Sequence, residues 1–156
     1  LNHIILLAED DENDVLFMKR AFREVGISDP LHVVQDGKEV MDYLSGNGDY
    51  ADRERFPLPT LMLLDLKLPR VMGLEVLKWI REQPDLKSLI VIILTSSRLV
   101  PDIDLAYQSG ANAYLVKPST PQELAEIASA IKCFWLELNH GPAVGRKSAE
   151  LVGCGT

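Results

Sequence analysis

Cysteine is scarce in this chain: two in 156 residues, and neither belongs to a Cys-x-x-Cys pair. Cys133 lies in an apolar stretch and Cys154 close to the end, so there is no disulfide framework and no thiolate metal motif. That usage fits a reducing cytoplasm, the expected location. Basic charge is also short. Sixteen Lys and Arg face 23 Asp and Glu, for a net charge of -7. Nucleic-acid binding wants the opposite balance, so no nucleic-acid partner is expected. No apolar run is long enough to cross a bilayer, Leu89 to Leu94 being typical, so no membrane role is expected either. The opening run, Ile4 to Ala8, stops at Glu9 without a cleavage-type segment and does not read as a signal peptide. His3, His32 and His140 are scattered without ligand spacing. What remains is 47% hydrophobic and 25% charged, enough for one domain with a core that needs no disulfide.

Two kinds of segment alternate. His3 to Ala8 is a short, nearly continuous apolar run, as expected of a strand buried on both faces. Leu31 to Gln35, Leu61 to Leu64, Leu89 to Leu94 and, more weakly, Ala113 to Val116 read the same way. Helical patterns lie between them. Val15, Met18, Phe22 and Val25 share a face, and Gly26 is placed to stop that helix. Leu74, Leu77 and Ile80 mark another helix, and Pro101 to Ser109 a further one, stopped by Gly110. The last helix opens on Thr120-Pro121-Gln122-Glu123, an N-cap, a first-turn proline and a capping-box glutamate. Its apolar face is Leu124, Ile127, Ile131 and Phe134. The expectation is an α/β fold: a doubly wound, five-stranded parallel sheet with right-handed crossovers and helices on both faces. Two segments stand outside the alternation. Gly46 to Thr60 reads as a long surface loop, and Asn139 to Thr156, rich in Gly and small residues, as a mobile tail.

In an open parallel sheet, ligands bind beyond the carboxyl ends of the strands. The first strand is followed by Glu9, Asp10 and Asp11, the third by Asp65, the fourth by Thr95 and Ser96, and the fifth by Lys117 and Pro118. Asp10, Asp11 and Asp65 would meet at one end. Crowded carboxylates resist ionisation unless a cation sits among them, and oxygen donors with water suit Mg²⁺. Lys117 and the Thr95 hydroxyl could contact phosphoryl oxygens beside such an ion. Asp65, at the centre, is the natural carboxylate nucleophile for phosphoryl transfer. Each residue also has a plain reading. Acids favour the first turn of a helix, Thr95 and Ser96 could be turn residues, Lys117 a surface charge, and Tyr114 core.

The set Glu9-Asp10-Asp11, Leu63 to Pro69, Leu94 to Ser97 and Tyr114 to Pro118 resembles the receiver domain of two-component response regulators. The resemblance covers residues 3–136 and leaves 137–156 as a tail expected to be flexible. It implies a flavodoxin-like (βα)5 fold with strand order 2-1-3-4-5. It implies Asp65 as phosphoacceptor, and Mg²⁺ held by Asp11, Asp65 and the Lys67 backbone carbonyl, with Asp10 acting through water. It implies Thr95, Ser96 and Lys117 as phosphoryl-binding residues, Thr95 and Tyr114 as the switch, and a cis bond before Pro118. Met72-Gly73 departs from the Asp-Gly usual at that place, which is not a ligand position. Asp11 to Leu16, the loop after Tyr43-Leu44, Leu66 to Pro69 and Phe134 to Asn139 resemble the small regulators that partner bacterial phytochromes.

The expected activity is therefore that of a phosphoacceptor, not a turnover enzyme. A histidine kinase, of phytochrome type, donates to Asp65, and the domain itself promotes both transfer and later hydrolysis. About twenty residues follow the last helix, so no output domain is expected and the output would be a protein contact. Phe134-Trp135-Leu136 covers more than one helix face, which suggests a homodimer interface. A Mg²⁺-dependent aspartyl phosphohydrolase is the competing reading. It needs a second acid two residues after the nucleophile, where Lys67 stands. An adaptor that no longer takes phosphate would show gaps in the site, and none is visible.

Overall fold

Four apolar runs of four residues and one of six pair side by side into a single parallel sheet. The computed structural model describes residues 3–145. Its strands are β1 (Ile5–Ala8), β2 (Leu31–Val34), β3 (Leu61–Leu64), β4 (Ile90–Thr95) and β5 (Ala113–Val116). They lie in the order β2-β1-β3-β4-β5, as expected. The connecting helices are α1 (Glu12–Glu24), α2 (Gly37–Ser45), α3 (Gly73–Glu82), α4 (Val100–Gln108) and α5 (Pro121–Ala130). None of the described helices is long and apolar enough to cross a membrane.

Side chains alternate across a strand, so each strand feeds two cores. Leu6, Met62, Leu64, Val91 and Ile93 pack with Val40 and Tyr43 of α2 and with Val76, Leu77 and Ile80 of α3. Ile5, Leu7, Leu61, Leu63 and Ile92 pack with Met18 and Phe22 of α1 and with Ala128. Each fully buried aliphatic side chain contributes about 1.5–3 kcal/mol. The central strands β1, β3 and β4 are buried along their whole length, which is why they read as unbroken apolar runs. The edge strands β2 and β5 are half-buried and read more weakly. The helix stops fall where expected, Gly26 at φ 78° and Gly110 at φ 103°. At α5 the Thr120 hydroxyl accepts from the Glu123 amide at 3.2 Å.

Two expectations need correction. The segment Gly46 to Thr60 is not a bare loop. It contains a 3-10 turn (Gly48–Tyr50), and Tyr50 and Phe56 pack on Tyr43 with ring centroids 5.1 and 6.0 Å away. The Arg53 guanidinium donates to the carbonyls of Tyr43 (2.7 Å) and Leu44 (2.8 Å), satisfying the end of α2. The last helix changes pitch: α5 widens into a π-helix (Ile131–Leu138), closed by the Asn139 amide donating to the Phe134 carbonyl at 2.7 Å. The wider turn carries Phe134 off the buried stripe, where a continuing 3.6-residue period would have kept it. Phe134 is 51% exposed, while Trp135 and Leu136 pack against the core. The described part of the expected tail makes two contacts. Val144 packs against the α2 and α3 core, and the Gly145 amide donates to the Asp85 carbonyl at 3.1 Å. The rest of the expected tail, with Cys154, lies outside the described residues.

Gly73 seats α3 against the end of β3. A Cβ there would lie 2.1 Å from the Asp65 carbonyl oxygen and 2.8 Å from the Leu66 Cα, closer than atoms can approach. Gly73→Ala should therefore lower stability by about 1–3 kcal/mol, read as the shift in urea midpoint. An unshifted midpoint would show that the contact yields freely.

Candidate functional site

The strand register decides which residues meet. Ala8 pairs with Leu64, so Glu9 and Asp65, the next residues, emerge side by side. Leu64 pairs with Ile93, and Thr95 with Val116, which brings Thr95 and Lys117 to the same edge. Backbone bonds continue past the strands: the Asp65 amide donates to the Ala8 carbonyl at 3.2 Å and the Lys117 amide to the Thr95 carbonyl at 2.8 Å.

Lys117 is the hub. Its Nζ donates to Glu9 Oε2 at 2.5 Å, Asp65 Oδ2 at 2.8 Å and Asp14 Oδ2 at 3.0 Å. Burial alone would favour the neutral amine, but the bonds to Asp65 and Glu9 outweigh it and hold Lys117 above its ordinary range. Glu9 is pushed up to about 7, mainly by burial, against the pull of the Lys117 bond. Asp65 is buried at the end of β3, and its Oδ1 accepts from the Lys67 amide at 3.1 Å. The Thr95 hydroxyl is fully buried and has no hydrogen-bond partner. Tyr114 is half-buried, with its hydroxyl donating to the Ser97 carbonyl at 3.0 Å.

The acids that converge are Glu9, Asp10 and Asp65, with carboxylate oxygens all within 4.8 Å of one another. This corrects the expected set. Asp11 stands outside it. Its Oδ1 accepts the amides of Asn13 (2.8 Å) and Asp14 (3.2 Å), so it is the N-cap of α1. Because β1 ends at Ala8, Glu9 and Asp10 are the residues at the sheet edge and Asp11 comes one too late. Glu9, which the sequence names after the first strand without a ligand role, takes its place. The signal for it was the register: it is the first residue past its strand, as Asp65 is past β3. The set fits a divalent cation by its chemistry, a cluster of hard oxygen donors of which two, Glu9 and Asp65, are buried.

Two more expectations move. Ser96 is exposed, and Ser97 is the buried serine, its hydroxyl donating to Asp102 at 2.5 Å and accepting the Leu99 amide at 3.3 Å. The Lys117-Pro118 bond is trans, as are all the described peptide bonds. The tertiary amide still favours trans by about 0.5–1 kcal/mol, and Lys117 reaches all three acids from that isomer. Asp14 had not been singled out. It lies in the first turn of α1, one turn beyond the sheet edge.

The response regulator receiver domain matches residues 5–129. The chain belongs to that family. It is 36% identical over 140 residues to the response regulator Rcp1 of Synechocystis, covering 90% of this chain and 93% of that protein. It is 37% identical over 142 residues to a probable methanogenesis regulatory protein, FilR2, of Methanothrix harundinacea, covering 89% and 87% of the two chains. Among solved structures, the phosphorylated cyanobacterial phytochrome response regulator RcpA superposes with a TM-score of 0.85 at 34% identity, covering 92% of this chain and all of that one. The Mn²⁺-bound form of Rcp1 superposes with a TM-score of 0.81 at 36% identity, covering 90% and 99%. The chain is thus a phosphorylation-accepting receiver domain, homologous to regulators that serve phytochromes.

A buried carboxyl held above its ordinary value makes stability pH-dependent. Glu9 is protonated more readily folded than unfolded, where its value is 4.5. Its contribution is full below about 4.5 and is lost as pH rises through about 7. In chelator, the urea midpoint should fall over that window, and Glu9→Gln should flatten the fall. An equal slope in both proteins would assign the dependence elsewhere.

Proposed function

We propose that Asp65 is the phosphoacceptor and that a sensor histidine kinase of the phytochrome type is the donor. The observation that carries this is the Asp65 carboxylate, buried at the central strand end and bonded at 2.8 Å to Lys117. In transfer, an Asp65 oxygen attacks phosphorus as the phosphorus-nitrogen bond of a phosphohistidine breaks. The electron pair returns to the imidazole, which takes up a proton. Lys117 and the unpartnered Thr95 hydroxyl bind phosphoryl oxygens, which gives that buried hydroxyl the partner it lacks. Mg²⁺ is the ion we assign, with Glu9, Asp10, Asp65 and the Lys67 backbone carbonyl as its holders. When bound it neutralises charge on the phosphoryl group. Attack of water on the acyl phosphate returns the Asp65 carboxylate and inorganic phosphate.

The output is a protein contact. Tyr114 links the site to the loop after β4 through Ser97, and beyond that loop Leu99, Val100, Leu105 and Tyr107 are exposed. On the π-helix Phe134 and Leu138 are exposed too, with the Phe134 ring edge-on to Trp135 at 4.8 Å. A second copy of the chain is the partner this apolar end favours, with Phe134 as its anchor, since Trp135 and Leu136 are engaged in the fold.

Incubation with acetyl phosphate and Mg²⁺ should add one phosphoryl group to the wild type, seen by mass spectrometry, and none to Asp65→Asn. Equal gain in both would overturn the assignment. In light scattering with beryllofluoride the wild type should have the mass of a dimer and Phe134→Asp that of a monomer. Identical masses would remove Phe134 from the interface.

A further inference from the structure

The Lys117 ammonium has three hydrogens, and all three are engaged, by Glu9, Asp65 and Asp14. A phosphoryl oxygen would be a fourth acceptor, so one present partner must give way. The three are not equally held. The Glu9 side chain is 4% exposed and bonds at 2.5 Å, and leaving it would strand a buried carboxylate. Asp65 would attack phosphorus through Oδ1, the oxygen that accepts from the Lys67 amide, so that its Oδ2 keeps the bond to Lys117. The Asp14 side chain is 41% exposed and bonds at the longest distance, 3.0 Å. Once released, Asp14 is solvated by water and by the positive N-terminal end of α1, in whose first turn it lies.

We propose that Asp14 is a positioning residue for Lys117, an exchangeable counter-ion that occupies the third ammonium hydrogen until a phosphoryl oxygen displaces it. Asp14 competes with the phosphoryl group for Lys117 and so sets how tightly the phosphorylated form is held. Asp14 and Lys117 also share the wall of a cavity of about 270 Å³ between α1 and α5, lined further by Phe17, Leu94 and Pro118. Exchange therefore frees an acidic side chain beside an apolar cavity, on the α1 side of the site. The inference rests on the reading of Asp65 as phosphoacceptor.

The test is titration of the full chain with beryllofluoride in Mg²⁺, followed by fluorine NMR. Asp14→Asn and Asp14→Ala should bind about three- to fivefold tighter than the wild type, the range open to a partly exposed ion pair. Asp14→Glu should restore wild-type affinity. Glu12→Gln removes an equal charge from the same turn without a bond to Lys117, and should bind like the wild type. In the wild type, the Asp14 side-chain carboxyl carbon should shift as beryllofluoride saturates, a signal that a merely structural Asp14 would not give. Affinity unchanged in Asp14→Asn and Asp14→Ala, or raised equally by Glu12→Gln, overturns the exchange while leaving Asp65 as acceptor. A wild type that binds no beryllofluoride, or an Asp65→Asn that binds it equally, overturns both readings.

Discussion

Three carboxylates share one ammonium at the carboxyl edge of the sheet, and the rest of the site follows from that arrangement. Glu9 and Asp65 are buried, and two buried acids side by side are not tolerated in ionised form without a cation. Lys117 supplies one positive charge against three acids, so the centre keeps an excess of negative charge. A divalent ion relieves that excess, and a phosphoryl group restores it. The same electrostatic imbalance therefore suits the site to a divalent cation.

Such a cluster needs a backbone that does not relax around it. Parallel pairing provides this: Ala8, Leu64 and Ile93 lie side by side, β4 and β5 run on together to Thr95 and Val116, and the ends of β1, β3, β4 and β5 supply the groups of the site. The segment after Asp65 is then clamped from two sides. Gly73 seats α3 so closely that a Cβ there would lie 2.1 Å from the Asp65 carbonyl oxygen, and a Cβ at Gly37 of α2 would lie 2.0 Å from the Val71 carbonyl oxygen. Between these contacts Arg70 sits at φ 68°, a conformation that costs a non-glycine residue about 1 kcal/mol or more. Its guanidinium lies 3.6 Å from Asp36, the N-cap of α2. Strain in the loop after Asp65 is thus held by the surrounding helices.

Much of this was legible in the residues. The apolar runs ending at Ala8, Leu64, Thr95 and Val116 carry the sheet, because a doubly buried strand has no room for polar alternation. Asp65, Thr95 and Lys117 followed from those ends. What misled was a matter of one residue: three acids in a row after β1 do not say which two reach the edge, and only pairing of Ala8 with Leu64 assigns Glu9 and leaves Asp11 as a cap. Asp14 was hidden because its partner is 103 positions away in sequence. The π-helix was hidden because a change of pitch leaves no compositional mark. The loop from Gly46 to Thr60 looked polar, yet its aromatics lie far enough apart in sequence to escape any periodic pattern.

The Thr95 hydroxyl connects the charge balance to the surface. Buried without a partner, it costs roughly 1–3 kcal/mol. That cost is recovered when an acceptor or donor comes within reach, which biases Thr95 toward any incoming phosphoryl oxygen. Tyr114 stands beside it on the neighbouring strand, two residues before its β5 partner Val116, and its own hydroxyl is held by the Ser97 carbonyl just beyond β4. Thr95 and the segment that anchors Tyr114 are two residues apart in the chain. Two polar groups thus stand on adjacent strands, one unsatisfied and one satisfied by a loop carbonyl. A phosphoryl group brings strong acceptor oxygens, the partner that the unsatisfied hydroxyl lacks.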